Sequence, residues 1–192
     1  MALRVPRAEL TTGLGEDMIR KFGQVPEPVE VMWHNPAVAG LSLELGGKVD
    51  AWDAADESLK SFAHMAVAAQ VGCGFCLDVG YFQAQNRNLD LAKASQVPRW
   101  RESEVFTPLE RDVMGYAEAM TDTPPTVTDE MSARLLDRLG PAAMVELTVF
   151  ISFANFATRS NTALGIESQG FSAACAIPLA ARPGTPDGET TA

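Results

Sequence analysis

The segment PAAMVELTVFISFANFATRS, residues 141–160, is apolar on nearly every side when it is drawn as a helix. Such a helix must be buried, either in the centre of a domain or between subunits, and we expect this one to do both. Because a buried acid needs a partner, Glu146 is predicted to form an ion pair in the core, with Arg159 as its candidate partner. The segment requires a fold that is built around an apolar helix.

Helix signals recur along the rest of the chain, whereas segments that alternate apolar and polar residues are almost absent. Thr107, Pro108 and Glu110 have the spacing of a capping box, which predicts a helix over about residues 108–120. Thr128 is predicted to cap a further helix that ends at Gly140. The sequence therefore predicts an all-α fold.

A helix is also predicted from Asp53, as its cap, to Val71. Its apolar residues recur at spacings of three and four, which gives it one buried face. Gly72 interrupts this helix immediately before Cys73. The residues of the predicted stripe are Leu59, Phe62, Ala63, Ala66 and Val67.

The chain has 192 residues, a length typical of one domain, which we assign to residues 1–180 with an N-terminal arm over about 1–26. Residues 181–192, ARPGTPDGETTA, lack apolar anchors and are predicted to be disordered. The chain carries 15 basic and 25 acidic residues, a net charge of −10, which excludes nucleic acid and anionic membranes as partners. Without a secretory leader or a long uninterrupted apolar run, a cytoplasmic location is expected.

The stretch VGCGFCLDVG contains the pair Cys73 and Cys76. At a helix start, unpaired N–H groups favour a thiolate, and the Cys-x-x-C spacing allows the two sulfurs to join. We therefore predict a reversible dithiol/disulfide couple. The alternatives are a pair of buried structural thiols and a catalytically silent scaffold.

A zinc site would need further ligands from Cys175, His34 and His64, and no second Cys-x-x-C or paired histidine motif accompanies them. We therefore predict neither a metal nor another cofactor. Cys175 is interpreted as a small buried apolar residue, with a mixed disulfide as the alternative.

Three segments in order resemble the carboxymuconolactone decarboxylase family in its AhpD-like alkylhydroperoxidase branch, and the resemblance covers about residues 27–175. The segments are VGCGFCLDVG, PRWRESEVFTPLERDVMGYAEAMTDTPPTVTDE and LGPAAMVELTVFISFANFATRSNTALG. The resemblance implies an AhpD-like helical domain, an obligate homo-oligomer (dimer, trimer or hexamer), and a thiol peroxidase. It also implies that Cys76 attacks the peroxide, that Cys73 resolves the sulfenic acid as a disulfide, and that Asp78 matches an acid common in the motif.

Two positions depart from the family motif, because its relay glutamate falls on Ser61 and its relay histidine on Gly80. Positioned acid–base groups contribute about 10²- to 10⁴-fold in rate, so the loss bears directly on activity. His64 lies one helical turn from Ser61, and our hypothesis is that it replaces the missing base; the alternative is a histidine packed in the core. Gly80 is either a packing glycine or the opening of a pocket bordered by Phe75, Tyr81 and Phe82.

Two functions follow from these residues. The first is a thiol-dependent alkylhydroperoxidase or disulfide reductase that uses Cys76 and Cys73 and is recharged by a dithiol reductant. The second is a cofactor-free decarboxylase, cyclase or isomerase that binds a small organic acid, with His64 or Asp78 moving protons.

Overall fold

The computed structural model describes residues 3–183, and of Thr12 only the backbone. Within that range the chain contains no β-strand, so the predicted all-α fold is confirmed. The predicted disorder of the C-terminal tail falls, from residue 184 onward, outside the described residues. The α-helices in chain order are α1 (Thr12–Phe22), α2 (Glu27–Met32), α3 (Pro36–Asp50), α4 (Glu57–Val71), α5 (Gly74–Asn86), α6 (Leu91–Ala94), α7 (Pro108–Thr121) and α8 (Asp129–Leu164).

Helix α4 lies at the centre of the molecule and packs against α5, α7 and α8. Its alanines let the neighbouring helices approach closely, while its large apolar residues fill the space between them. Phe62 and Met65 point into a cluster that surrounds the cysteine pair. Ala63 and Val67 point into a second cluster formed with α7 and α8. The helix that precedes the Cys-x-x-C is thus held rigidly on both sides.

The start of α4 differs from the prediction, because Asp56 and not Asp53 caps the helix. The Asp56 carboxylate accepts the backbone N–H groups of Ser58 at 2.8 Å and Leu59 at 3.3 Å. The earlier backbone N–H groups, at positions 54 and 55, donate instead to the Glu146 carboxylate on α8. A tertiary partner therefore displaces the local cap.

Glu146 forms a core ion pair as predicted, but the partner is Lys60 on α4, 2.9 Å away, and the prediction of Arg159 was wrong. Arg159 lies 13 residues further along α8, about 20 Å at 1.5 Å per residue, which is out of reach. Its guanidinium donates to the Thr121 carbonyl and to Asn155 Oδ1. The ion pair fixes α8 to the start of α4.

Two other helix boundaries agree with the sequence. Helix α7 begins with the predicted capping box, in which Thr107 and Glu110 exchange side chain–backbone hydrogen bonds. Helix α8 is broken at Gly140, which has φ 74° and ψ 168°, and Pro141 opens its second segment. The predicted end and restart at this point are confirmed.

The second segment of α8 has a buried face and an exposed face. Leu147, Ile151 and Ala154 are buried against α4 and α7. On the other side, Val145 is 64% exposed. By length and composition α8 is the one helix in residues 3–183 that could cross a membrane, a test that core helices also pass. Its inward face identifies it as part of the helical core.

Candidate active site

The cysteine pair lies at the junction between α4 and α5. Gly72 ends α4 in the left-handed conformation, with φ 81°, and donates its backbone N–H to the Ala68 carbonyl. Glycine adopts this conformation at little cost, so the chain can turn sharply there. Cys73 is the N-cap of α5, and its Sγ accepts the backbone N–H of Cys76 at 3.2 Å. The predicted placement at a helix start is confirmed.

Cys73 and Cys76 form a disulfide with their Cα atoms 5.3 Å apart. This separation is typical of disulfides and needs no distortion of the helix. Both residues are 2% exposed and lie in the apolar cluster with Phe62 and Met65. The two sulfurs thus meet within one turn of α5, in surroundings that exclude water.

A third residue of the site, Asn161, was not predicted from the sequence. Its Nδ2 donates a hydrogen bond to Cys76 Sγ at 3.3 Å, and the residue is 6% exposed. It continues the buried face of α8 that Ile151 and Thr158 define. The available signal was the spacing, since these residues recur at intervals of three and seven and an amide on that face must point into the core.

The imidazole of His64 occupies the space beside Gly80. A β-carbon at Gly80 would lie 3.1 Å from His64 Nδ1 and 3.2 Å from Met65 Cγ. Gly80 follows Cys76 by four residues and so lies one turn further along α5. The structure therefore brings His64 to the position of the family histidine, but from α4 instead of α5.

A small cavity of about 40 Å³ adjoins this histidine. Ser61, His64 and Gly80 all line it, so both positions of the missing relay face the same space. The other lining residues are Asp50, Lys60, Gln83, Ala84, Arg87 and Phe150. This volume is enough for a few water molecules.

The alternative interpretation of Gly80, a larger pocket bordered by Phe75, Tyr81 and Phe82, is not supported by the packing of these side chains in residues 3–183. Phe75 and Phe82 pack against the ring of Phe171. The Tyr81 hydroxyl donates to the Ile177 carbonyl at 2.6 Å. Residues C-terminal to α8 pack against all three rings, which favours the other interpretation of Gly80 as a packing glycine.

His64 is neutral at neutral pH. Burial, together with the positive charge of Arg87, lowers the pKa of His64 to about 4. Arg87 is itself paired with Asp50 at 2.5 Å and Glu57 at 3.0 Å. Among residues 3–183 the imidazole has no hydrogen-bond partner, and it reaches only the small cavity. The environment therefore opposes an imidazolium at this position.

Asp78 is 4% exposed, and its carboxylate has a structural role as a hydrogen-bond acceptor. One carboxylate oxygen accepts the Ser168 hydroxyl at 2.8 Å and the Phe171 N–H at 3.0 Å. The other accepts the backbone N–H and the hydroxyl of Ser172, both at 2.7 Å. The side chain thus ties α5 to the segment after α8, and it is not among the residues that line the cavity beside His64.

The remaining candidates lie apart from one another. His34 is exposed and its Nε2 donates to the Pro6 carbonyl at 2.9 Å. Cys175 is free and partly buried, and burial together with the charge of Asp78 raises its pKa. Within residues 3–183 no group of three or more His, Cys, Asp or Glu side chains is arranged to hold a metal ion.

The fold and the site define a class of all-helical proteins in which a dithiol lies at the junction of two core helices. A profile of the Carboxymuconolactone decarboxylase family matches residues 36–119. A curated relative, the uncharacterized protein YnjA of Escherichia coli strain K12, is 32% identical over 160 residues, which are 83% of this chain and 86% of YnjA. The chain belongs to the carboxymuconolactone decarboxylase family, as the resemblance in sequence predicted.

Solved structures have the same fold. A variant of the debrominase Bmp8 in complex with 2,3,4-tribromopyrrole matches with a TM-score of 0.79 at 20% identity, over 91% of this chain and 96% of that one. An uncharacterized peroxidase-related protein from Ralstonia eutropha JMP134, with an alkylhydroperoxidase AhpD core, matches with a TM-score of 0.76 at 15% identity, over 88% and 94% of the two chains. The similarity confirms the AhpD-like helical fold.

Proposed function

We propose that this protein is a dithiol oxidoreductase in which Cys76 and Cys73 reduce a small organic hydroperoxide. The observation that carries the proposal is the pair itself at the start of α5, where each sulfur accepts an N–H donor. Such donors stabilise a thiolate more than a thiol.

The proposed reaction has two steps and balances. The Cys76 thiolate attacks the terminal peroxide oxygen, the O–O bond breaks, and the products are a sulfenic acid on Cys76 and an alkoxide that takes a proton to become the alcohol. Cys73 then attacks the sulfenic sulfur, a disulfide forms and hydroxide leaves with a proton as water. The dithiol loses two electrons and the hydroperoxide gains them.

A dithiol reductant returns the protein to its reduced form. Its thiolate attacks one sulfur of the Cys73–Cys76 disulfide, a mixed disulfide forms, and its second thiol displaces the protein thiol. Cys73 is the N-cap of α5, so the N–H group that it accepts and the helix start both stabilise it as a leaving thiolate. The partner proposed here is therefore a small dithiol or a dithiol protein.

Ser61 and Gly80 cannot move protons as the family glutamate and histidine do, and this favours a second candidate. In it, the same dithiol reduces a different small organic substrate. The structural similarity to a debrominase makes an aryl bromide the natural choice to test. In the balanced reaction the aryl bromide and two thiols give the debrominated ring, the disulfide and hydrogen bromide. A non-redox reaction on a small organic acid requires no cysteine pair and has less support.

The proposal is tested by single-turnover oxidation of the reduced protein. One equivalent of cumene hydroperoxide is expected to produce the Cys73–Cys76 disulfide and one equivalent of alcohol, measured by mass spectrometry after alkylation. Cys76→Ser should abolish the reaction, and Cys73→Ser should leave a sulfenic acid on Cys76 that dimedone captures. Cys175→Ser is the matched control and should behave like the wild type.

Two outcomes would contradict the peroxidase. If the disulfide forms no faster than in free dithiothreitol, the protein is not a hydroperoxide reductase. If 2,3,4-tribromopyrrole oxidises the pair and the hydroperoxide does not, the second candidate replaces the first. If neither compound oxidises the cysteines, the dithiol function itself is wrong.

A further inference from the structure

The side chain of Asn161 is the one buried polar group from another helix that donates to a sulfur of the pair in the described part of the chain. We propose that Asn161 stabilises the Cys76 thiolate and so provides part of the activation that the absent relay residues would otherwise supply. This inference rests on the proposed function. It requires that Cys76 act as a nucleophile, while Asn161 itself neither gains nor loses a proton.

An amide N–H favours the ionised sulfur for an electrostatic reason. A hydrogen bond to a charged acceptor is stronger than one to a neutral acceptor, and burial strengthens it further because water does not compete. Asn161 is 6% exposed and Cys76 is 2% exposed. An amide does not titrate, so any pH dependence of this hydrogen bond comes from the ionisation of Cys76.

The backbone around Asn161 holds the donor in place. The Asn161 carbonyl accepts the N–H of Ile166 at 3.0 Å, beyond the Gly165 cap of α8. The backbone N–H of Arg4 donates to the Leu164 carbonyl at 3.0 Å. Both contacts fix the backbone of the last turn of α8, from which the Asn161 amide reaches Cys76 Sγ in the disulfide form.

The neighbouring titratable side chains do not donate a hydrogen bond to Cys76 among residues 3–183. Cys73 accepts a hydrogen bond from the Cys76 backbone. Both carboxylate oxygens of Asp78 accept hydrogen bonds from the segment after α8. His64 on α4 and Cys175 after α8 have no hydrogen bond to either sulfur among residues 3–183. Arg182 brings a guanidinium nitrogen to 3.7 Å from where a β-carbon at Gly72 would lie, but it donates to neither sulfur in the described part of the chain. Asn161 is the side chain that donates directly to Cys76, so its removal should change the ionisation of that sulfur.

The first test measures the pKa of the Cys76 thiol from the pH dependence of alkylation, in a Cys73→Ser/Cys175→Ser background. Asn161→Leu, which has a similar shape and no donor, is expected to raise this pKa by about one unit. Thr158→Val is the matched control, because Thr158 is buried on the same face of α8 and its hydroxyl bonds only to the Asn155 carbonyl. A folded Asn161→Leu protein with an unchanged thiol pKa would overturn the proposal.

The second test needs no substitution at Asn161. The wild-type protein, reduced and labelled with ¹⁵N-asparagine, is titrated while the side-chain amide signals are followed by NMR. The Asn161 amide is expected to shift with the same midpoint as the alkylation of Cys76. If it does not respond to ionisation of the thiol, the hydrogen bond does not act on the thiolate and the proposal fails.

These readouts separate this inference from the proposed function. The thiol pKa and the amide shift are measured without peroxide, so they can support Asn161 even if hydroperoxide is not the substrate. Conversely, if the wild type reduces hydroperoxide and Asn161→Leu leaves the thiol pKa unchanged, the function stands and the role of Asn161 is wrong.

Discussion

At position 80 a β-carbon would lie 3.1 Å from His64 Nδ1, so the histidine on α4 fills the space that a side chain on α5 would take. Occupying this space does not by itself make His64 a base for the thiol, however. Moving a proton from a thiol of pKa about 8.5 to an imidazole of pKa about 4 costs about 6 kcal/mol. This cost argues against a thiolate–imidazolium pair, and it is the reason why we assign the activation of Cys76 to a neutral donor.

The depressed pKa of His64 has a consequence for stability. Between pH 6.5 and about 4 the unfolded chain binds a proton at this histidine and the folded chain does not, so the free energy of unfolding should fall as the pH falls. The expected loss at pH 4.5 is about 2.5 kcal/mol. It should be absent in His64→Gln. The measurement is urea unfolding of both proteins at pH 7 and pH 4.5.

Comparing the two pH values within each protein removes the packing defect that His64→Gln introduces, since that defect is present at both. His34→Gln removes the other histidine, which is exposed, and should keep the wild-type difference between the two pH values. Equal pH dependence in the wild type and in His64→Gln would show that the imidazole is not held neutral by the fold.

The residues of the site were predictable where local sequence determines them. The Cys-x-x-C after Gly72 follows from a helix break and a helix start, and the resemblance to the family located Ser61 and Gly80. The contact between His64 and Gly80, and the hydrogen bond from Asn161, join different helices. Their existence depends on how α4, α5 and α8 pack, and no local pattern in the sequence fixes that packing.

At the scale of elements, Asp78 links α5 to the segment after α8. Its carboxylate accepts four hydrogen bonds from Ser168, Phe171 and Ser172. Phe171 in turn packs in the same cluster as Cys73 and Cys76. Asp78 therefore attaches the segment that covers the cysteine pair to the helix that carries it, together with the hydrogen bond from Tyr81 to the Ile177 carbonyl.

Asp78→Asn should loosen this segment. An amide in place of the carboxylate presents N–H groups to the donors of Phe171 or Ser172 and leaves at least one of them unpaired, which costs about 1–3 kcal/mol. We expect a lower free energy of unfolding, faster hydrogen exchange over residues 166–175, and faster alkylation of Cys73 and Cys76 in the reduced protein. Hydrogen-exchange mass spectrometry and timed alkylation measure these effects.

Asp112→Asn is the matched control for this prediction. Asp112 is a partly exposed carboxylate on α7 that pairs with Arg134 at 3.3 Å and Arg138 at 3.5 Å. Exposed pairs of this kind contribute about 1 kcal/mol or less, so exchange over residues 166–175 should not change. If Asp78→Asn leaves both exchange and alkylation at wild-type rates, the carboxylate is not what holds the segment over the cysteines.

Helix boundaries were predicted correctly where the caps and helix breakers act within one turn. The capping box of α7 and the break at Gly140 are examples, because each depends on residues within one turn. The cap of α4 moved to Asp56 because Glu146, 90 residues away in sequence, binds the N–H groups that precede the helix. Long-range partners of this kind account for the errors in helix boundaries and ion pairs.

At the scale of the whole molecule, two helices carry apolar side chains on their outer faces. Helix α3 exposes Val38, Leu41 and Leu45, at spacings of three and four, and Leu41 is 67% exposed. Helix α8 exposes Val145, Val149 and Phe156, and Val145 is 64% exposed. The two helices approach each other where Gly46 faces Phe153, since a β-carbon at Gly46 would lie 3.3 Å from that ring. We call these six side chains the α3–α8 apolar face.

We propose that the α3–α8 apolar face is where copies of this chain associate into the homo-oligomer expected of its family. Exposed apolar residues aligned along two adjacent helices are typical of an interface, whereas isolated ones are common on any surface. The prediction from the sequence that the 141–160 helix is buried on nearly all sides would then be met by a second subunit. Because the net charge is −10, neither nucleic acid nor an anionic membrane is expected to bind this face instead.

Positive charge introduced into the centre of this face should prevent the association. Leu41→Lys/Val145→Lys is expected to convert the oligomer into monomers, measured by size-exclusion chromatography with light scattering, because burying two unpaired lysines between subunits costs more than the apolar contacts contribute. Ile19→Lys is the matched control, since Ile19 is 52% exposed on α1, outside the face, and its variant should keep the wild-type mass. A wild-type protein that is monomeric at micromolar concentration, or a double variant that keeps the oligomeric mass, would mean that these helices do not form the interface.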